Sequence, residues 1–324
     1  MKRIGVIIML LCATWAIAAD NVKKKVVISQ FVDHPALNKT TQGIIDGLAK
    51  HGYKRGVNLD LRVESAQANT ALATQIAAKF IAQQPDVVVG VATISAQSFM
   101  KYAKKNQAKL VFSSVTDPLQ AGLVQSINKP GHQTTGVSNF IALEPQIELF
   151  QTIQPQLKRL GFLYNPSELN SLSLLKQLQA LCPQYGITLQ AQAANKTAEV
   201  AQAATKLAAK VDAIFISNDS TALSALRVIV SAANKVKVPV YVSDTDAVEL
   251  GALAALGPNQ YQLGLQTADK IVSALNGEDL GTQPVAFPSE TALYLNDRAA
   301  AKLGIAFSPA LTQRAAVVIA ERAS

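Results

Sequence analysis

The chain has 324 residues, 49% of them hydrophobic and 6% aromatic, with a formal charge of +8. That length exceeds one ordinary core and fits two domains. The basic residues are scattered, with no patch interleaved with aromatics, which argues against nucleic acid as a partner.

Lys2 and Arg3 precede an apolar run from Ile4 to Leu11 that continues through Trp15, and Ala16-Ile17-Ala18 supplies a small-x-small pattern. Residues 1–19 read as a secretory signal peptide cut near Ala18 or Ala19. The run is short for a membrane span, which takes about 20 residues. A lipid anchor on Cys12 is the lesser reading, because Leu11 is bulky and Cys12 comes early. The mature chain is expected to be periplasmic or otherwise extracytoplasmic, with a charge of +6 once Lys2 and Arg3 are gone. Its one cysteine, Cys182, cannot form an internal disulfide. It sits in an apolar helical pattern with Leu178 and Leu181 and reads as a small buried hydrophobe.

Lys25 to Gln30 is a first strand, ending in Phe31, Asp33 and His34. Ala36 to His51 has Leu37, Ile44, Ile45 and Leu48 on one helical face. Asn58 to Glu64 alternates as a strand does, and Thr70 to Gln83 is a second helix. Val87 to Val91 is apolar throughout, as in a parallel sheet buried on both faces. Thr93 and Ser95 open a third helix running to about Asn106. Leu110-Val111-Phe112 is a short strand that turns polar at Ser113, Ser114, Thr116 and Asp117 before Pro118. Thr134 to Ser138 reads as a fifth strand.

The pattern then restarts. Leu143 to Ile153 is a helix. Arg159 to Tyr164 is a strand that ends in Asn165 and Glu168. Leu169 to Gln184 is a helix with Asn170 and Ser171 near its start. Thr188 to Ala193 is a strand and Thr197 to Ala209 a helix. Val211 to Ile216 is a buried strand ending in Asn218, Asp219 and Thr221. Ala222 to Asn234 is a helix. Pro239 to Val242 is a strand ending in Asp244 and Thr245, and Ala252 to Leu256 reads as one more. Tyr261 to Asn276 is a helix, Val285 to Leu295 holds short strands, and Asp297 to Leu303 is a short helix. Alternation of this kind implies α/β architecture with two doubly wound parallel sheets. The expected divisions are a lobe over 25–140, a second over 141–258, and a returning segment, 259–324, packed across both.

Ligands of open α/β sheets bind outside the carboxyl ends of strands. The polar strand ends are therefore the candidate site. Thr93 and Ser95 begin a helix, where free N–H groups and the helix dipole favour an anion such as a carboxylate. Asp219 and Asp244 suit an ammonium, while Phe31, Tyr164 and Phe140 suit an apolar side chain. The competing reading makes each hydroxyl a helix cap. Catalytic signatures are missing: no P-loop, GxSxG, HExxH or CxxC, and three scattered histidines that form no zinc cluster. No cofactor and no metal are expected.

Several motifs together resemble the ABC-transporter substrate-binding proteins of type I periplasmic-binding-protein fold, nearest the aromatic amino-acid (tryptophan/phenylalanine) branch. In the first half they are His34-Pro35-Ala36-Leu37, Gly43-Ile44-Ile45-Asp46-Gly47-Leu48, Val115-Thr116-Asp117-Pro118, Ala121-Gly122-Leu123-Val124 and Thr134-Thr135-Gly136-Val137-Ser138. In the second they are Leu163-Tyr164-Asn165-Pro166, Asn170-Ser171, Val211-Asp212-Ala213-Ile214 and Gly251 to Gly257. The likeness spans roughly Val26 to Phe307. It implies two lobes joined by a hinge that close on a small ligand and deliver it to a membrane permease. It also implies that Thr93, Ser95 and Thr116 hold the ligand's carboxylate and that Asp219 or Asp244 takes its amine. The sequence departs from the commoner pattern at Ala92-Thr93-Ile94-Ser95 and at Ser217-Asn218-Asp219-Ser220.

The reading that results is a monomeric solute receptor of an ABC importer. Its candidate ligand-binding residues are Phe31, His34, Thr93, Ser95, Thr116, Asp117, Tyr164, Asn165, Asn170, Ser171, Asn218, Asp219 and Asp244. Alternatives left open are a sensor or chemoreceptor partner, and a receptor for a sugar or nucleoside. The one tryptophan, Trp15, lies in the leader, which weakens the sugar reading. An exported enzyme using His34 with Asp33 or Asp117 is the least favoured.

Overall fold

The computed structural model describes residues 23–105 and 107–320. The expected leader, with Cys12 and Trp15, and the expected helix end at Asn106 lie outside them. Among the described residues no helix is long and apolar enough to cross a membrane.

The first sheet has five parallel strands in the order β2-β1-β3-β4-β5. They are β1 (Lys24–Gln30), β2 (Leu59–Ser65), β3 (Val87–Val91), β4 (Leu110–Ser113) and β5 (Thr134–Val137). The apolar runs of β3 and β4 are buried along their whole length, because helices cover both faces of the sheet. Helices α2 (Thr70–Ile81) and α3 (Thr93–Ala103) pack together, and α1 (Pro35–Lys50) packs against a helix from far along the chain, α9 (Gln260–Leu275).

The α1–α9 contact explains the glycines of α1. A Cβ on Gly43 would collide with the Tyr261 carbonyl oxygen, and one on Gly264 with that of Thr40. The two backbones touch where side chains would hold them apart. Overpacking such a contact costs about 1–3 kcal/mol. Gly43→Ala is expected to lower the melting temperature by several degrees, measured by circular dichroism, with no change in the site's chemistry.

The second sheet has seven strands in the order β7-β6-β8-β9-β10-β11-β12. They are β6 (Arg159–Tyr164), β7 (Thr188–Ala193), β8 (Ala213–Ile216), β9 (Val240–Val242), β10 (Ala254–Pro258), β11 (Thr291–Asn296) and β12 (Val317–Ile319). All neighbours are parallel except β10 and β11. Helices α4 (Glu144–Ile153), α5 (Leu169–Leu181), α6 (Thr197–Ala208), α7 (Ser220–Ser224) and α8 (Leu226–Asn234) connect or flank these strands, with α10 (Asp297–Leu303) and α11 (Pro309–Arg314) near the end. An aromatic stack, Phe150 on Tyr241 with ring centres 4.3 Å apart, fills part of the core. Cys182 is fully buried there, and burial pushes its thiol up to about 11, as befits a small hydrophobe.

The chain passes between the sheets three times. It leaves β5 for α4, leaves β10 for α9, and returns through residues 287–290 to β11. Before that return Leu280 and Val285 join the first core, and Ala286 N–H donates to Gly136 O at 2.9 Å.

Local differences from the sequence reading have local causes. The expected helix 222–234 is two, because Asp219 caps a short helix at Ser220 and the backbone breaks at Ala225. The strand expected from Val211 starts at Ala213; the Asp212 carboxylate instead accepts from the Lys158 and Arg159 amides. The helix expected to reach Gln184 tightens into a 3₁₀ turn at Cys182-Pro183. Helix α11 and strand β12 were not expected at all.

Candidate ligand-binding site

Among the described residues an ion pair and a side-chain hydrogen bond cross between the lobes and show how the lobes face. Lys39 Nζ of α1 lies 3.4 Å from Asp246 Oδ1, just past β9. Ser173 Oγ of α5 donates to Asp117 Oδ2, just past β4, at 2.9 Å. So the end of β1 faces the end of β9, and the end of β4 faces the unit that follows β6. The ends of β3 and β8 meet between them. There a cavity is lined by His34, Ala92, Thr93, Ser114, Asn139 and Gln260 of the first lobe and crossings, with Asn170, Asn218, Ser220, Leu223 and Asp244 of the second.

The first lobe offers donors. Ala92, which precedes α3, has no side chain to cap the helix, so the amides of its first turn are uncapped. Thr93 is a buried residue whose hydroxyl makes no hydrogen bond among the described residues. Asn139 accepts from Thr116 Oγ1 at 3.1 Å through its Oδ1, which turns its NH₂ outward. The backbone is strained here: Ala92 has φ 74° and Ser114 φ 53°. Non-glycine residues held at positive φ cost about 1–3 kcal/mol each and gather at functional sites. Gly90, on β3, has no room for a Cβ against Ala96, so α3 sits close on its strand.

The second lobe offers acceptors. Asp244 is 1% exposed, and burial together with the neighbouring Asp246 carboxylate raises its pKa to about 7. Its one side-chain bond in the described residues is from the Asp246 N–H, at 3.0 Å. Asn170 donates its NH₂ to Asn218 O at 2.6 Å and leaves a buried Oδ1 without a partner. His34 is the exception to the division. Its buried Nδ1 also has no partner, and burial lowers its pKa to about 4, so the ring is neutral at pH 7. A buried polar atom without a partner calls for one. Here two of them, His34 Nδ1 and Asn170 Oδ1, line one space.

Of the expected residues the structure brings His34, Thr93, Asn170, Asn218 and Asp244 to the cavity. Others stand behind it. Ser95 takes a hydrogen bond from Ser29, Thr116 orients Asn139, and Asp117 reaches the opposite lobe. Asp219 is fully buried and serves the fold: it accepts from Asn165 N–H, Ser171 Oγ and Ala222 N–H at 2.6–2.7 Å. Asn165 also donates to Thr221 Oγ1 at 2.9 Å. These bonds hold Asn165, Ser171 and Asp219 in one network below the cavity. Phe31 belongs to the first lobe's core, and Tyr164 stacks on Phe162 beside the second. Neither lines the cavity. Asn139 and Gln260 were missed, and both follow from the chain's crossings, which pass the cleft's edge. Ser114 was visible as part of a polar strand end.

The space between the walls is about 20 Å³, room for about one water. A ligand larger than a water needs a wider cleft than this one. A larger hollow, about 360 Å³, lies beside the crossing segments between α9 and residues 288–292. It gathers no titratable group except the exposed Glu290. Convergent unpaired groups place the candidate site in the cleft. Among the described residues no cluster of three metal-ligating side chains occurs.

Residues 25–319 match the model of the ABC transporter substrate binding protein family. The chain belongs to that family. It is 31% identical to the tyrosine-binding protein of Clostridioides difficile (strain R20291) over 275 residues, 85% of this chain and 79% of that one. Among solved structures it is similar to an ABC domain from Streptococcus pneumonia in complex with L-Trp, at 33% identity and TM-score 0.88, covering 92% of this chain and all of that one. A ligand-free, open substrate-binding protein from Clostridium difficile, with adhesive properties, has 31% identity and the same coverage but a TM-score of 0.68. The fold of this substrate-binding protein is that of the type I periplasmic binding proteins. Family membership points to a binding role.

Proposed function

We propose that this substrate-binding protein is the extracytoplasmic receptor of an ABC importer for an α-amino acid, with an aromatic side chain preferred. One observation carries the reading: apart from His34, the cleft divides its candidate groups by sign, with the uncapped α3 amides and Thr93 on one lobe and Asp244 and Asn170 Oδ1 on the other. A zwitterion answers both at once. Its carboxylate suits the uncapped start of α3 with the Thr93 hydroxyl, and its ammonium suits Asp244 and Asn170 Oδ1. Each lobe alone satisfies half of the ligand, so binding energy is realised in full only when the lobes meet. The ligand thereby shifts an open–closed equilibrium toward the closed form, the form a permease would recognise. The tyrosine and tryptophan in the names of its relatives support the aromatic preference. The receptor acts as a monomer, with the hinge in the three crossing segments.

Thermal unfolding of the mature protein against amino acids, sugars and nucleosides tests this. Ligand at about 100 times its dissociation constant adds about 2.7 kcal/mol. A shift with tyrosine or tryptophan is expected. A shift with sugars or nucleosides alone would remove the amino-acid assignment. Thr93→Ala is expected to leave the unliganded melting temperature unchanged, since that hydroxyl has no partner among the described residues. Hydrogen bonds to charged groups contribute about 1.5–3 kcal/mol, so the affinity for the amino acid should fall by about tenfold to a hundredfold in calorimetry.

A further inference from the structure

Lys39 lies outside the cavity and still bears on its charge. It stands on α1 in the first lobe and crosses to Asp246 in the second. Asp246 follows Asp244 by two residues and donates its N–H to it. The Asp246 carboxylate pushes the Asp244 pKa up, and Lys39 pulls it down. The other charged group at this turn is Glu249, which disfavours the charged form of Asp246. His34, at the facing end of β1, is neutral at pH 7. Lys39 is thus the one cation in this set among the described residues.

Between the lobes Asp244 is 1% exposed. Burial alone disfavours a carboxylate, so it favours a protonated Asp244 with no hold on an ammonium. Lys39 reaches the same turn from the other lobe. We propose that Lys39 is a positioning residue for ligand capture: by reaching Asp246 across the cleft it favours the anionic form of Asp244 when the lobes are together, so closure and amine recognition reinforce each other. The inference rests on the amino-acid reading above. A proton held by Asp244 at lower pH leaves to solvent as the ammonium takes its place, so affinity rises with pH through the Asp244 titration.

Calorimetric titration of L-tyrosine and L-tryptophan into the mature protein, from about pH 5.5 to 8.5, tests it. One pH unit corresponds to tenfold in affinity where a single proton is displaced. For Lys39→Gln the dissociation constant at pH 7 is expected to rise about three- to tenfold, and the midpoint of the pH profile to move up by about half a unit or more. Lys39→Arg should restore both. About 0.3 M salt should shrink the difference, because the lysine is more than half exposed. The analogue 3-(4-hydroxyphenyl)propionate keeps ring and carboxylate without the ammonium, and should not distinguish wild type from Lys39→Gln. An unchanged midpoint in Lys39→Gln overturns the proposal, as does an equal loss for the analogue; Lys39 is then a closure contact only. Failure of both amino acids to bind wild type overturns the amino-acid reading, and this inference with it.

Discussion

Asp244→Asn is expected to weaken amino-acid binding about thirtyfold or more while making the unliganded protein more stable. The two effects share a cause. Asp244 is a buried carboxylate with a single hydrogen bond in the described residues, from a backbone amide. Burial above all raises its pKa from the ordinary carboxylate range to about 7. An acid whose folded pKa lies above its unfolded value destabilises the fold as it ionises. Below about pH 4 it is protonated in both states and has no effect. Between about pH 4 and 7 the penalty grows, reaching about 4 kcal/mol at most above that. Asparagine removes the charge and the penalty. At pH 8 its melting temperature should exceed wild type by several degrees, and at pH 4 the two should coincide. Binding responds the other way. Truncating one partner of a buried charge pair costs about 2–5 kcal/mol, so calorimetry should show a loss of thirtyfold or far more. A group that is costly in the empty protein and needed in the filled one marks a stability–activity trade-off. Unchanged binding in Asp244→Asn would place the ammonium elsewhere.

The sequence carries the fold because its signals are local. Unbroken apolar runs such as Val87 to Val91, with helical faces between them, define parallel strands and crossovers without any knowledge of partners. The rule that ligands gather at strand carboxyl ends then narrows the site to a few loops. The division of labour within those loops is a different matter. Thr93 and Ser95 stand two residues apart at one helix start, and only packing shows that Ser95 turns back to Ser29 while Thr93 is left unpaired. Phe31 and Tyr164 follow or end strands just as ligand-covering aromatics would, and both are drawn into cores. Asn139 and Gln260 reach the cavity from crossings whose paths depend on how the lobes stack. Val317-Val318-Ile319 is an apolar run as short as β9. It becomes a strand only because β11 presents an edge to it.

The same limit decides between Asp219 and Asp244, two strand-end acids that the sequence leaves equal. Asp219 is expected to be a structural residue, and Asp219→Ala to lower the melting temperature by about 10 °C. Its carboxylate gathers three donors from three segments: Asn165 after β6, Ser171 on α5 and Ala222 at the start of α7. Alanine leaves each without an acceptor in a dry site, at about 1–3 kcal/mol apiece. A partial offset comes from Glu168. That side chain is buried too, and accepts from Ser220 N–H, Thr221 N–H and Thr221 Oγ1 at 2.8–3.0 Å. Burial raises the pKa of both acids, and Asp219 raises that of Glu168 further. Removing Asp219 relieves that repulsion, so the net loss should be about 3–5 kcal/mol rather than the full sum. Asp219→Asn keeps one acceptor oxygen and should cost less than half as much. The decisive comparison is between the two asparagine variants. Asp219→Asn should fall in stability and retain measurable affinity at low temperature, whereas Asp244→Asn should gain stability and lose affinity. If Asp219→Asn instead lost binding with its melting temperature intact, Asp219 would be the amine's partner. The hydrogen bonds it makes to Asn165, Ser171 and Ala222 would then have to open when the ligand enters.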